Sequence, residues 1–161
     1  GGFGKNCLFY ANKVVRGGSW TLPIAVVVDR EFEPGTPSTG IDCPDWCRNA
    51  CIAACPTRAL KGNGRIDPRR CISFLTYFGE GLTPLSLREP MGLYVYGCDR
   101  CQEVCPYNKG KTGKAMNLPS PEEFLEMKEE EFKTRFGHTS LSRPGLARLQ
   151  RNARIIQKNR S

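Results

Sequence analysis

Cysteine placement constrains this chain more than any other feature. Seven of the nine cysteines fall into two groups that each close on Cys-Pro, namely Cys43, Cys47, Cys51, Cys55-Pro56 and Cys98, Cys101, Cys105-Pro106, and Cys71 lies between them. These eight residues make up two sets of four thiolates. A fold that serves them must bring residues 43–55 and 98–105 together, which favours short elements and tight turns over a large sheet.

Spacing of this kind is what iron–sulfur chemistry uses. In two-cluster ferredoxins three closely spaced cysteines hold one [4Fe-4S] cube, and the Cys-Pro cysteine of the same run reaches across to the other cube. On that rule Cys43, Cys47 and Cys51 hold cluster 1 with Cys105, and Cys98 and Cys101 hold cluster 2 with Cys55 and Cys71. Cys7 is left over in an apolar Cys7-Leu8-Phe9-Tyr10 stretch and reads as a buried thiol behaving as a small hydrophobe. Zinc is the competing reading, since zinc ribbons also use Cys-x2-Cys pairs, but they seldom follow the last cysteine of each run with proline. A disulfide framework needs an oxidising compartment and even pairing; nine cysteines and no signal peptide argue against it.

At 161 residues the chain is long enough for one domain that buries roughly 70% of its unfolded surface. No apolar run approaches the roughly 20 residues of a membrane span, so no membrane partner is expected. The opening Gly1-Gly2-Phe3-Gly4, without methionine, suggests a fragment or a processed product. The formal net charge of +8 is unevenly distributed. Residues 1–131 hold 16 basic and 16 acidic side chains, whereas residues 132–161 hold eight basic side chains and no acid. Two loaded cubes would add roughly −2 each, which gives a negative cluster region and a positive tail.

Along the chain the expected fold class is α+β: a ferredoxin-like two-cluster domain preceded by a β segment of a missing α/β body and followed by C-terminal helices. Residues 1–40 read as the closing strands of that body. Leu8-Phe9-Tyr10 and Trp20–Leu22 flank a Gly17-Gly18-Ser19 turn, and Ile24-Ala25-Val26-Val27-Val28 is a β-branched run typical of a strand buried on both faces. Residues 33–40 have linker chemistry. Residues 41–110 form the cluster domain, with short helical turns over Asp45–Ala54 and Asp99–Val104 and a tight turn at Lys61-Gly62-Asn63-Gly64. Asp67-Pro68 is an N-cap followed by proline at the first helical position, and the helix it starts carries Cys71, Ile72, Phe74, Leu75 and Phe78 as shielding for a cluster.

Residues 111–161 form a basic helical segment. Lys109–Lys114 is a connector, and Ser120-Pro121-Glu122-Glu123 is a capping box that starts a helix running to about Phe136, with Phe124, Met127, Phe132 and Phe136 as its apolar face. A last helix from Pro144 sets Leu146, Leu149, Ala153 and Ile156 on one stripe and Arg148, Arg151, Arg154 and Lys158 off it. With no acid on this helix, those four are candidate nucleic-acid contacts. Lone His138 reads as an exposed loop residue.

Several motifs together resemble the epoxyqueuosine reductases, cobalamin-dependent iron–sulfur enzymes of tRNA queuosine biosynthesis. They are Gly4-Lys5-Asn6, Cys55-Pro56-Thr57-x-Ala59-Leu60, Cys71-Ile72-Ser73-Phe74-Leu75-Thr76, Tyr96-Gly97-Cys98-Asp99-x-Cys101-Gln102-x-Val104-Cys105-Pro106-Tyr107-Asn108-Lys109 and Arg151-Asn152-Ala153. The match covers nearly the whole chain but only the back half of such an enzyme. The resemblance implies two [4Fe-4S] clusters with the pairing given above, cobalamin contacts at Gly4, Lys5 and Asn6, and an electron donor of the reduced flavodoxin or ferredoxin type. It also implies tRNA contact through the basic tail, a monomer in the cytoplasm, and a catalytic acid carried by the half that this sequence lacks. The family's first group usually reads Cys-x2-Cys-x2-Cys-x3-Cys-Pro; here every gap is three residues, so an extra residue must be absorbed on each side of Cys47. Two alternatives share the cysteine plan: a reductive dehalogenase-like protein, and a stand-alone ferredoxin-type carrier without cobalamin.

Overall fold

The computed structural model describes residues 2–10, 18–22, 24–35, 43–81, 83–110 and 117–160. Its first element is a small antiparallel hairpin in which β1 (Gly2–Phe3) pairs with β2 (Phe9–Tyr10), Phe3 standing opposite Phe9. Gly4–Leu8 close it: the Gly4 N–H donates to Leu8 O at 2.9 Å and the Cys7 N–H to Gly4 O at 3.0 Å. Cys7 is half-buried at φ 66°, a left-handed turn residue rather than the buried hydrophobe expected.

The strand expected over Ile24–Val28 is absent. This stretch is irregular and outside any sheet, with Val27 98% exposed. Trp20–Leu22 is likewise irregular. A β-branched run becomes a strand only where a neighbouring strand takes up its backbone groups and a packed layer covers its side chains. Among the described residues neither is supplied. The candidate linker at 33–40 is irregular at 33–35, and the rest of it lies outside the described residues, as does most of the Lys109–Lys114 connector.

A 3-10 turn (Asp45–Cys47) and α1 (Ala50–Ala54) carry the first cysteine group. Then β3 (Leu60–Gly62) and β4 (Arg65–Ile66) form a second hairpin around Asn63-Gly64, whose φ values of 50° and 66° are those of the two-residue turn that Asn-Gly favours. Asp67 caps a 3-10 turn (Pro68–Arg70), accepting from the Arg69 N–H at 3.1 Å. The helix expected to run straight on is broken at Cys71, which is extended at ψ 122° and serves as the N-cap of α2 (Ile72–Tyr77). Single-turn helices α3 (Leu85–Arg88) and α4 (Arg100–Glu103) follow.

The capping box forms as expected at the start of α5 (Pro121–Glu126): Ser120 Oγ accepts from the Glu123 N–H at 3.1 Å and Glu123 Oε2 from the Ser120 N–H at 2.8 Å. The single helix expected to reach Phe136 is two helices, because Met127 and Lys128 are extended before α6 (Glu129–Phe136). Glu129-Glu130-Glu131 is the sequence reason, since three acids at consecutive positions suit a helix N-terminus. Phe124, Met127, Phe132 and Phe136 are buried together with the stripe of α7 (Leu146–Arg160) in one core, and α5 packs against α7. His138 is exposed in a turn.

The chain divides into two compact units: residues 1–55, 60–66 and 100–113, and residues 56–59, 67–99 and 114–161. The N-terminal hairpin groups with the first cysteine group, and α2 and α3 pack on α7.

Candidate metal centre

Cys43, Cys47, Cys51 and Cys105 all belong to the first unit. The three-residue gaps on either side of Cys47 are absorbed locally. Before it, the 3-10 turn closes with the Cys47 N–H donating to Pro44 O at 3.1 Å; after it, Arg48 and Asn49 are both left-handed, at φ 48° and 59°, so that α1 starts in a new direction. Cys51 sits in α1, which packs against α4, the helix of Cys101. Cys105 follows α4 and is buried, as Cys51 is.

These four thiols feel one another. Burial pushes the Cys43 thiol up, and Cys47 and Cys105 oppose its ionisation further, while the amide and ammonium of Lys5 pull the other way. Burial likewise raises Cys51, with Cys43, Cys47 and Cys105 adding to it against the Ile52 amide. A cationic cluster stabilises its cysteine ligands as thiolates and releases their protons as it binds. Among the described residues no three His, Cys, Asp or Glu side chains gather closely enough to hold a single ion. A [4Fe-4S] cube takes one thiolate at each iron, so four cysteines are the donor set it needs. The donor set fits a [4Fe-4S] cube.

Two further groups hold this centre in place. The Lys5 N–H donates to Cys43 Sγ at 3.2 Å and Lys5 Nζ to Asn49 Oδ1 at 2.8 Å, so Lys5 binds a cysteine and the left-handed turn beside it. Amide hydrogen bonds to cluster sulfur are one lever on cluster potential. Gly4 and Asn6 are buried, and Asn6 Oδ1 accepts from the Leu8 N–H at 3.1 Å. The described contacts of Gly4, Lys5 and Asn6 close the hairpin and tie it to the cysteine group. Sequence reasoning missed the second clamp. Buried Asn108 accepts from the Ser19 N–H at 2.8 Å and donates to Ser19 Oγ at 2.7 Å and Gln102 O at 2.9 Å, fixing the chain just beyond Cys105.

Of the other four cysteines, Cys55 and Cys101 lie in the first unit and Cys71 and Cys98 in the second. Within the second unit Cys71 caps α2, and Cys98 packs on a small cluster formed by Ile72, Met91 and Ile155. Of the residues expected to shield a cluster, Ile72 and Leu75 are buried, while Phe74 and Phe78 are exposed.

The basic residues of α7 divide into two kinds. Arg148 donates to Tyr77 O, and Arg151 donates to Leu75 O at 2.8 Å, to Gly79 O and Gly81 O at 2.6 Å each, and to Asn152 Oδ1 through Nε and Nη2 at 3.1 and 2.8 Å. That engages all five N–H groups of Arg151, three in capping the end of α2 and two on Asn152. Burial, and secondarily the charge of Arg148, lower its pKa. Arg154 and Lys158 are exposed.

Residues 43–108 match the family model of the 4Fe-4S double cluster binding domain. The chain is 36% identical over 160 residues to the epoxyqueuosine reductase of Bacillus subtilis, covering 92% of this chain and 39% of that protein. The chain is a homologue of the epoxyqueuosine reductases. The structure of the Streptococcus thermophilus enzyme superposes with a TM-score of 0.71 at 34% identity, over 98% of this chain and 42% of that one. A crystal structure of an epoxyqueuosine reductase with a tRNA-Tyr epoxyqueuosine-modified stem loop superposes with a TM-score of 0.68 at 38% identity, over 80% of this chain and 36% of that one. This homologue thus spans about two fifths of the length of these relatives. No helix among its described residues is long and apolar enough to cross a membrane.

Proposed function

We propose that this epoxyqueuosine reductase homologue carries electrons through two [4Fe-4S] clusters within an oxidoreductase that acts on tRNA in queuosine formation. Cys43, Cys47, Cys51 and Cys105 hold one cluster, and Cys55, Cys71, Cys98 and Cys101 hold the other. The observation that carries this reading is the first quartet: four cysteines in one compact unit, Cys51 and Cys105 buried, inside a segment that matches a double-cluster domain. The clusters supply one-electron chemistry at tunable potential, and the chain's part is to set that potential by burial and by the Lys5 N–H bond to Cys43.

The donor is a reduced flavodoxin or ferredoxin type of protein, and the place of work is the cytoplasm, as a monomer. Residues 1–40 belong in this proposal to a cobalamin-binding α/β body, and cobalamin enters only as the acceptor implied by the resemblance. Exposed Arg154 and Lys158 are the tail residues offered to tRNA phosphates. Anaerobic iron and sulfide analysis, with electron paramagnetic resonance after dithionite reduction, tests the centre of the proposal. The expected result is about eight iron and eight sulfide per chain in two reducible clusters; a chain that takes up zinc and no sulfide under these conditions overturns it.

A further inference from the structure

We infer that Asn152 is a positioning residue for Cys71 and Cys98, which makes the C-terminal helix part of the scaffold of the second cluster as well as the start of a basic tail. The inference rests on the two-cluster reading above and concerns residues of the second unit only.

Asn152 is fully buried in α7. Its Nδ2 donates to Thr76 O at 3.1 Å and to Val95 O at 2.8 Å, and its Oδ1 accepts twice from the Arg151 guanidinium. Both hydrogens and both lone pairs of the carboxamide are therefore used. The two carbonyls it joins belong to the two segments that carry the cysteines. Thr76 lies in the last turn of the helix that Cys71 caps, and Val95 lies three residues before Cys98.

A second bond links the same segments. Thr76, also fully buried, donates through Oγ1 to Ile72 O at 2.8 Å and accepts from the Gly97 N–H at 3.0 Å. Gly97 adjoins Cys98, as Ile72 adjoins Cys71. Ile155, one turn beyond Asn152 on α7, packs with Ile72 and Met91, and Cys98 lies against that cluster. Arg151 completes the arrangement by capping the carbonyls of Leu75, Gly79 and Gly81.

Apolar packing fills volume but tolerates sliding, whereas a buried amide with four partners fixes one register. A leucine would fill the Asn152 position; what it could not do is set the offset between Cys71 and Cys98. Two ligands fixed in advance make the second site selective for a cube of one size, and small changes in that offset alter the potential of its cluster.

The test uses the whole chain, reconstituted with iron and sulfide without oxygen. Wild type, Asn152→Leu, Thr76→Val and Thr76→Ser are compared by iron content and by redox titration followed by paramagnetic resonance. Cys51→Ser and Cys71→Ser assign the two signals. Asn152→Leu and Thr76→Val are expected to shift or lose the signal that Cys71→Ser removes, with iron falling from about eight toward about four per chain, and to leave the other signal in place. Thr76→Ser, which keeps the hydroxyl, should behave as wild type. Unchanged iron and potentials at both clusters in Asn152→Leu and Thr76→Val overturn the inference, and so does an equal loss of both clusters, which marks a general packing defect. Wild type that fails to hold two clusters instead sinks the electron-transfer reading, and this inference with it.

Discussion

Arg48 and Asn49 show how a sequence departure is accommodated at single positions. Left-handed backbone costs a residue with a side chain roughly 1–2 kcal/mol, less for asparagine, and far more effort for a β-branched one. Arg48→Val is therefore expected to destabilise the chain by about 1 kcal/mol or more and to lower cluster occupancy, whereas Arg48→Gly holds or raises the melting temperature. Gly18 is constrained from the other side. At φ 60° it stands so close to Asn108 that a Cβ would meet Oδ1 at 2.1 Å. Gly18→Ala should thus mimic Asn108→Ala, which leaves the buried Ser19 N–H without its acceptor at a cost of about 1–3 kcal/mol. Urea melts of the two single variants and the double variant check this, the double costing less than the sum. Individual ligand candidates were legible in the sequence because cysteine spacing is a local signal. The roles of Lys5, Asn108 and Asn152 were not, because the bonds that tie them to Cys43, Ser19 and Val95 span 38, 89 and 57 positions along the chain.

Caps and turns were the elements read best from sequence, for the same reason. Ser120-Pro121-Glu122-Glu123, Asp67-Pro68 and Asn63-Gly64 each satisfy their backbone groups within four residues, so nothing distant can override them. Ser120→Ala should lower stability by about 1 kcal/mol, seen as a fall in the thermal midpoint with no change in iron content. Breaks inside helices were read worst. Cys71 and Met127 are each extended where a continuous helix was expected, and of the two only the break at Met127 has a local signal, the acids Glu129-Glu130-Glu131 at the start of α6. Ile24–Val28 failed most plainly: its composition is that of a strand, but a strand exists only in a pair.

For the molecule as a whole, the division of the basic tail carries the next prediction. Arg151 and Arg148 cap α2, so their removal should weaken folding, whereas Arg154 and Lys158 are exposed where phosphates can reach them. On the proposed tRNA role, replacing Arg154 and Lys158 by alanine is expected to reduce the dependence of tRNA affinity on log salt by about two at most. Equal salt slopes in wild type and variant would leave tRNA binding without this surface. The bare Ile24–Val28 segment bears on how the chain behaves in a concentrated sample. It is five consecutive residues without charge, proline or glycine, all of them exposed, in the class of segment that stacks into cross-β assemblies. Clouding and thioflavin fluorescence should grow with time and concentration, and a single Val27→Lys substitution, placed where no neighbour is disturbed, should delay both.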